Sequence, residues 1–273
     1  MSRITEHLRT APVLWVVTLA VVQNVAFVAV ALAIGRWLTR RTGVRRGDAV
    51  AAGEARVVAL TVVLNSAVAV VGLTLWRGGW IVLAPGGGWR ALGDCVLFLI
   101  VMDVGMYVGH RFVLLERVFP VAHALHHRYD VPRPLSLFVL HPLEVVGFGG
   151  LWITVMVLHR TTAAGVVAYA ALNLLFGTLA HLGVDPIPAA MRGGRLFRWV
   201  TTPTFHAQHH EEPRRNYGFY TVTWDRVFGT MAADYDTRRA APDAGTDLVR
   251  DELVRSGHLR SGPSRAEGCA VRS

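Results

Sequence analysis

Long apolar runs dominate this chain, and they limit it to folds that close every backbone hydrogen bond without help from water. A hydrocarbon core about 30 Å thick takes roughly 20 residues of helix to cross. Five stretches reach or approach that length: 12–35, 56–76, 93–114, 139–158 and 162–182. Charged residues make up only 17% of the 273 positions, against about 25% in an ordinary soluble domain. The expected fold is therefore all-α, a polytopic membrane helix bundle of about four to five spans. The first run is too long for the core of a secretory signal and carries no clear cleavage site, so it reads as a retained span.

Orientation rests on arginine alone, because none of the 28 basic residues is lysine. The loop after the first run holds Arg36, Arg40, Arg41, Arg45 and Arg46, which the positive-inside rule places in the cytoplasm. Alternation then puts the glycine-rich connection 80–89 outside, residues 115–138 inside, the turn at His159–Thr162 outside, and everything after 182 inside. The arginines flank apolar runs and no nucleic-acid motif surrounds them. The net charge of +9 thus reads as membrane-flanking, with no nucleic acid among the expected partners. Residues 183–236 are mixed polar and aromatic, broken by Pro186, Pro188, Pro203 and Pro213. The expected division is N-terminal spans and loops (1–92), a central region (93–236) and a cytoplasmic tail (237–273). The tail is expected to be disordered apart from a short amphipathic helix near Asp247–Arg255.

Ten of the 12 histidines lie between His110 and His210. One pattern occurs twice, as His123-Ala-Leu-His126-His127 and as His206-Ala-Gln-His209-His210. On a helix, positions i, i+3 and i+4 share a face, so each triplet would stack three imidazoles together. His110 lies near the inner end of the third run and His181 at the inner end of the fifth. An orientation set without reference to histidine thus gathers eight of them at one membrane face. Cys95 and Cys269 are the only thiols, so nitrogen and oxygen must hold any metal. Eight imidazoles suit two metals at about four ligands each.

Around these histidines the chain resembles the sterol desaturase and fatty acid hydroxylase superfamily of membrane-bound di-iron oxygenases. The matching residues run Asp103, Tyr107, His110-Arg111, the first triplet, then His141-Pro142-Leu143-Glu144. They continue with Asn173, His181, Pro186, Thr202-Pro203, the second triplet, Asn216-Tyr217-Gly218, Trp224-Asp225 and Phe228-Gly229-Thr230, covering 93–230. The resemblance implies a cytosolic helical cap carrying a histidine-rich di-metal site over a lipid-binding cavity. It implies His110, His123, His126, His127, His181, His206, His209 and His210 as ligands of two non-haem irons, with O₂ as co-substrate. The implied reaction is hydroxylation or desaturation of an unactivated C–H bond in a lipid or lipid-like substrate. Electrons would come from an external donor of the ferredoxin and reductase type. Together with the arginines, this places the protein in the cell membrane with its site and C-terminus facing the cytoplasm.

One position departs from the family pattern. A second histidine usually follows His110 by four residues, and here Leu114 stands instead. Glu116 points to a different helix face and is a poor substitute. Two other readings therefore stay open: a metal-dependent hydrolase on the same scaffold, or a metal-poor lipid-binding homologue. Among polar neighbours, Asp103 shares the face of His110 and is expected either to accept a hydrogen bond from a ligand imidazole or to pair with Arg111. His141 and Glu144 look like a helix start whose side chains orient other groups. Asn173, Asn216 and Asp225 are further candidates for that supporting role, and at most one of Glu211 and Glu212 could reach a metal. Trp199, Phe205, Tyr217, Phe219, Tyr220 and Trp224 read as an interfacial aromatic belt.

Overall fold

A computed structural model describes residues 3–42, 50, 52–128 and 132–241. Arg45, Arg46 and the tail helix expected near Asp247–Arg255 lie outside the described residues. The helices in chain order begin with α1 (Arg3–Thr10), α2 (Val13–Thr42), α3 (Ala52–Arg77), α4 (Trp89–Val113), α5 (Phe119–Ala122) and α6 (Ala124–His127). After a 3₁₀ turn at Ser136–Phe138 come α7 (Pro142–Leu158), α8 (Ala163–Ala180), α9 (Ala189–Arg192), α10 (Pro203–Glu211), α11 (Thr223–Phe228) and α12 (Tyr235–Ala240). The described residues hold no sheet, only isolated bridges at Ala84–Thr162 and Val200–Thr221.

Four helices, α2, α3, α4 and α8, are long and apolar enough to cross a membrane, and α7 is a shorter apolar helix of 17 residues. The stretch 139–158 loses its first residues because Pro142 cannot continue a helix backwards. His141 becomes the N-cap instead, and Glu144 closes a capping box by accepting its backbone N–H at 3.0 Å. Valines such as Val22, Val63 and Val167 stand 59–67% exposed on the outer faces. Water would penalise so continuous an apolar surface, whereas lipid accepts it, and the protein is a membrane protein. Inside the bundle α4 packs against α7 and α8, while α3 covers α7 and α2 covers α8. Close approach is made at glycine, as membrane helices favour. A Cβ at Gly149 would lie 2.8 Å from Val68, and one at Gly105 would collide with Leu151. At the far end Asp94 accepts from Thr162 N and Oγ1 at 2.7 Å and from His159 Nε2 at 2.8 Å. That knot ties the start of α4 to the turn between α7 and α8.

The short helices form a cap over the histidine end. Two expectations change there. The first triplet does not ride one continuous helix: His123, at φ −135°, ends α5 and caps α6. The second triplet does share one helix, α10, started by Pro203 and by Thr202, whose Oγ1 accepts from Phe205 N at 3.3 Å. The aromatic residues are also not all a belt. Phe205, Tyr217 and Tyr220 are buried, and Phe205 packs with Val222, Ala232 and Tyr235 in a core of the cap. Trp199 remains exposed. Ordered chain continues past 236, since α12 runs to Ala240 and buries Arg239.

Candidate metal centre

The histidines meet where the ends of α4 and α8 reach the cap. His126, His181, His206 and His210 form one set, and His110, His123 and His209 a second, with ligand atoms in each within 4.8 Å of one another. His127 joins neither set, but its Nε2 lies 3.1 Å from that of His209. The even division into four and four therefore becomes four, three and one at the edge. Leu114, where the family pattern has histidine, is buried beside the smaller set. It packs on Tyr107 and Tyr217, and also on Phe119, which faces His123 and His127.

Outer contacts decide which nitrogen of each ring looks inward. The Nδ1 of His110 meets Tyr217 O at 3.0 Å, that of His126 meets Val139 O at 3.0 Å, that of His181 meets Gly177 O at 2.9 Å, and that of His209 meets Arg215 O at 2.8 Å. A carbonyl can only accept, so each Nδ1 carries the proton and each Nε2 presents a bare lone pair. His123 is fixed in the same way by Glu144 Oε1 at 2.6 Å. The Nε2 atoms of His110 and His123 then face each other at 3.1 Å with no proton between them. Such a pair repels unless a cation sits within reach of both.

Spacing agrees with ligation. Two imidazoles bound at about 2.1 Å to one ion, at right to tetrahedral angles, stand roughly 3.0–3.4 Å apart. The Nε2 separations for His181–His206 and His206–His210 are also 3.1 Å. His210 Nδ1 is buried without a hydrogen-bond partner, an orphan that costs about 1–3 kcal/mol unless some group satisfies it. Burial, reinforced by neighbouring imidazoles, holds His123 and His127 down to about 2 and His206, His209 and His210 well below the ordinary histidine value. All five are neutral, as metal ligands must be. The donor set, nitrogen throughout, fits iron, zinc or copper.

The remaining polar candidates act mostly on backbone. Asp103 touches no imidazole and does not pair with Arg111. It accepts from Tyr220 N and Thr221 N at 3.1 Å, Thr221 Oγ1 at 2.6 Å and Trp224 Nε1 at 3.1 Å. Asp225 accepts from Tyr217 N at 2.9 Å and Gly218 N at 2.7 Å. Asn216, at φ 58°, takes the left-handed conformation that asparagine tolerates, with Nδ2 donating to Phe205 O at 3.0 Å. Its two neighbours, Arg215 and Tyr217, are the residues whose carbonyls hold His209 and His110. Asp103, Asn216 and Asp225 together fix the turn that aims two rings of the smaller set. Asn173, in α8, accepts from Tyr220 Oη at 2.6 Å and touches no imidazole. His141 caps α7, while Glu211 and Glu212 face solvent and pair with Arg238 and Arg215.

A cavity of about 320 Å³ lies between the histidine-end halves of α4 and α7. Gly105, Gly109, Phe112, Leu143, Gly147, Phe148 and Leu151 line it, with Glu144, the partner of His123, as its one ionisable residue. Sequence patterning offered no way to see this space, because it is made by glycines on two helices distant in the chain.

Residues 95–230 match the family model for fatty acid hydroxylases. A very-long-chain aldehyde decarbonylase of Oryza sativa subsp. indica is 26% identical over 185 residues, 63% of this chain and 29% of that protein. A methylsterol monooxygenase of Rattus norvegicus is 27% identical over 139 residues, 51% of this chain and 46% of its own length. The counterpart from Danio rerio is 29% identical over 140 residues, 51% of this chain and 47% of its own. The chain thus spans less than half the length of these curated relatives. No solved structure matches it. The family match and these relatives agree with a histidine cluster at the end of a membrane helix bundle: the chain belongs to the fatty acid hydroxylase family, within the sterol desaturase superfamily.

Proposed function

We propose that the protein is an oxygenase that uses two non-haem irons, one at each histidine set, and O₂ to hydroxylate or desaturate an unactivated C–H bond in a lipid or lipid-like substrate. The observation that carries this reading is the His110–His123 pair, two lone pairs aimed at one point with both protons committed elsewhere. When bound, the irons supply O₂ activation and the oxidising power for C–H cleavage. The chain's own part is to keep the imidazoles neutral and aimed, and to hold the substrate. The glycine-lined cavity between α4 and α7 suits the second task, since its size is at the lower end for small-molecule sites. Glu144 links that space to His123, so an occupant lies beside the metal-holding rings. An external ferredoxin and reductase supply electrons on this reading.

The experiment is product formation from membrane lipids with purified protein, ferredoxin, reductase and either O₂ or argon. Product should require O₂. Gly147→Phe should fill the cavity and lower turnover on the order of 100-fold by displacing the reacting carbon, while iron content stays at the wild-type value. Product formed equally under argon would move the protein to the hydrolase reading.

The site and chain end are assigned to the cytoplasmic side, from the arginines that follow the first span. Reporter fusions after Ser136 and at the end of the chain should both report cytoplasm. A periplasmic result at either position would reverse the topology.

A further inference from the structure

We infer that Glu54, on a helix outside the family match, is a positioning residue for the four-histidine set. The inference rests on the metal-centre reading above. Glu54 lies in the first turn of α3, fully buried, and its Oε2 pairs with the Arg133 guanidinium. A buried carboxylate is tolerable only against a matched cation, so the pair pins Arg133 to the start of α3. One residue later, the ring of Pro134 lies directly on Gly35 of α2. A Cβ at Gly35 would stand 2.7 Å from Pro134 Cβ and collide with Cγ. The N-terminal hairpin thus grips two successive residues of the segment that follows the first histidine triplet.

From there the segment is stiff. Ser136 N and Oγ both donate to Arg133 O at 2.8 Å, Arg133 N donates to Ser136 Oγ at 3.1 Å, and Val139 N donates to Ser136 O at 3.0 Å. Its far end reaches two ligands. Val139 O accepts from His126 Nδ1 at 3.0 Å. Leu137 packs on Gly177, where a Cβ would fall 2.7 Å from Leu137 Cδ1, and Gly177 O accepts from His181 Nδ1 at 2.9 Å. Both rings belong to the four-histidine set. The smaller set is aimed by Tyr217, Glu144 and Arg215, none of which lies on the segment. Loosening the grip at Glu54 therefore acts on one metal position and spares the other.

The test uses the full chain in detergent, stripped by chelator and titrated with Co²⁺ alone, following visible absorption and bound metal. Glu54→Gln and Gly35→Ala each should weaken one of two Co²⁺ sites on the order of 10–100-fold, the range for removing an outer support of a ligand. The other site should keep its wild-type affinity, and Glu54→Asp, which keeps the charge, should retain both. Two wild-type sites in both variants, or equal weakening of both sites, would overturn the role of Glu54. Wild-type protein that takes up no Co²⁺ would remove the metal-centre reading and this inference with it.

Discussion

Alanine at His126 should cost the protein one metal and alanine at His209 the other. His126 belongs to the four-histidine set and His209 to the smaller one. Each side chain both supplies a donor and engages a carbonyl behind it, Val139 O in one case and Arg215 O in the other. Removing an outer support alone weakens metal binding by about 10–100-fold, and removing the donor itself should exceed that. After anaerobic reconstitution, wild type should hold about two irons per chain and each variant about one. On the proposed two-iron reading both positions are needed, so O₂-dependent turnover should fall at least about 100-fold in both. Iron analysis and product formation on the same preparations check this. Unchanged iron in both variants would show that the imidazoles do not bind metal.

Leu114→His should lower activity without lowering metal content. Leu114 caps α4, its N–H donating to His110 O at 3.2 Å, and its side chain fills the wall between Tyr107, Tyr217 and Phe119. That wall flanks the set with one histidine fewer. A histidine placed there can turn towards the set from one turn beyond His110. The rest of the family pattern, from Asp103 to Thr230, is intact. We therefore read the missing imidazole as a coordination position kept open for chemistry, which the new ring would fill. Turnover should drop on the order of tenfold or more, with iron content equal to or above wild type. Raised iron with raised turnover would mean that the native position is simply a weak one. A variant equal to wild type in both would show that residue 114 looks only into the tyrosine cluster.

The spans were legible because lipid leaves a backbone few choices, and the histidines because three rings at i, i+3 and i+4 are rare without a purpose. What the rings hydrogen-bond to was not legible. Four of the five observed acceptors of Nδ1 protons are or include main-chain oxygens of residues whose side chains give no hint of the task. Asp103 shares the face of His110, which points to an imidazole or Arg111 as its partner, and Asp225 is a candidate for the same supporting role. Yet their targets include amides of residues 217–221, brought close only by tertiary folding. Glu54 carries no sequence signal of its pairing with Arg133, because the helix dipole alone would explain an acid in a first turn. Tyr220 resembled an interfacial aromatic because its Asn173 partner lies 47 positions away. The break at His123 follows from a backbone angle, φ −135°, that the repeated histidine spacing conceals.

Main-chain acceptors also shape how the centre can vary by inheritance. A codon change can remove an imidazole or a carboxylate, but it cannot delete the carbonyl of Tyr217, Val139, Gly177 or Arg215. The orientation of His110, His126, His181 and His209 is therefore shielded from most single substitutions at the residues that enforce it. His123 alone among the five depends on a side chain, Glu144. In a lineage drifting under weak selection, that glutamate is the place where the aim of a ring can be lost in one step.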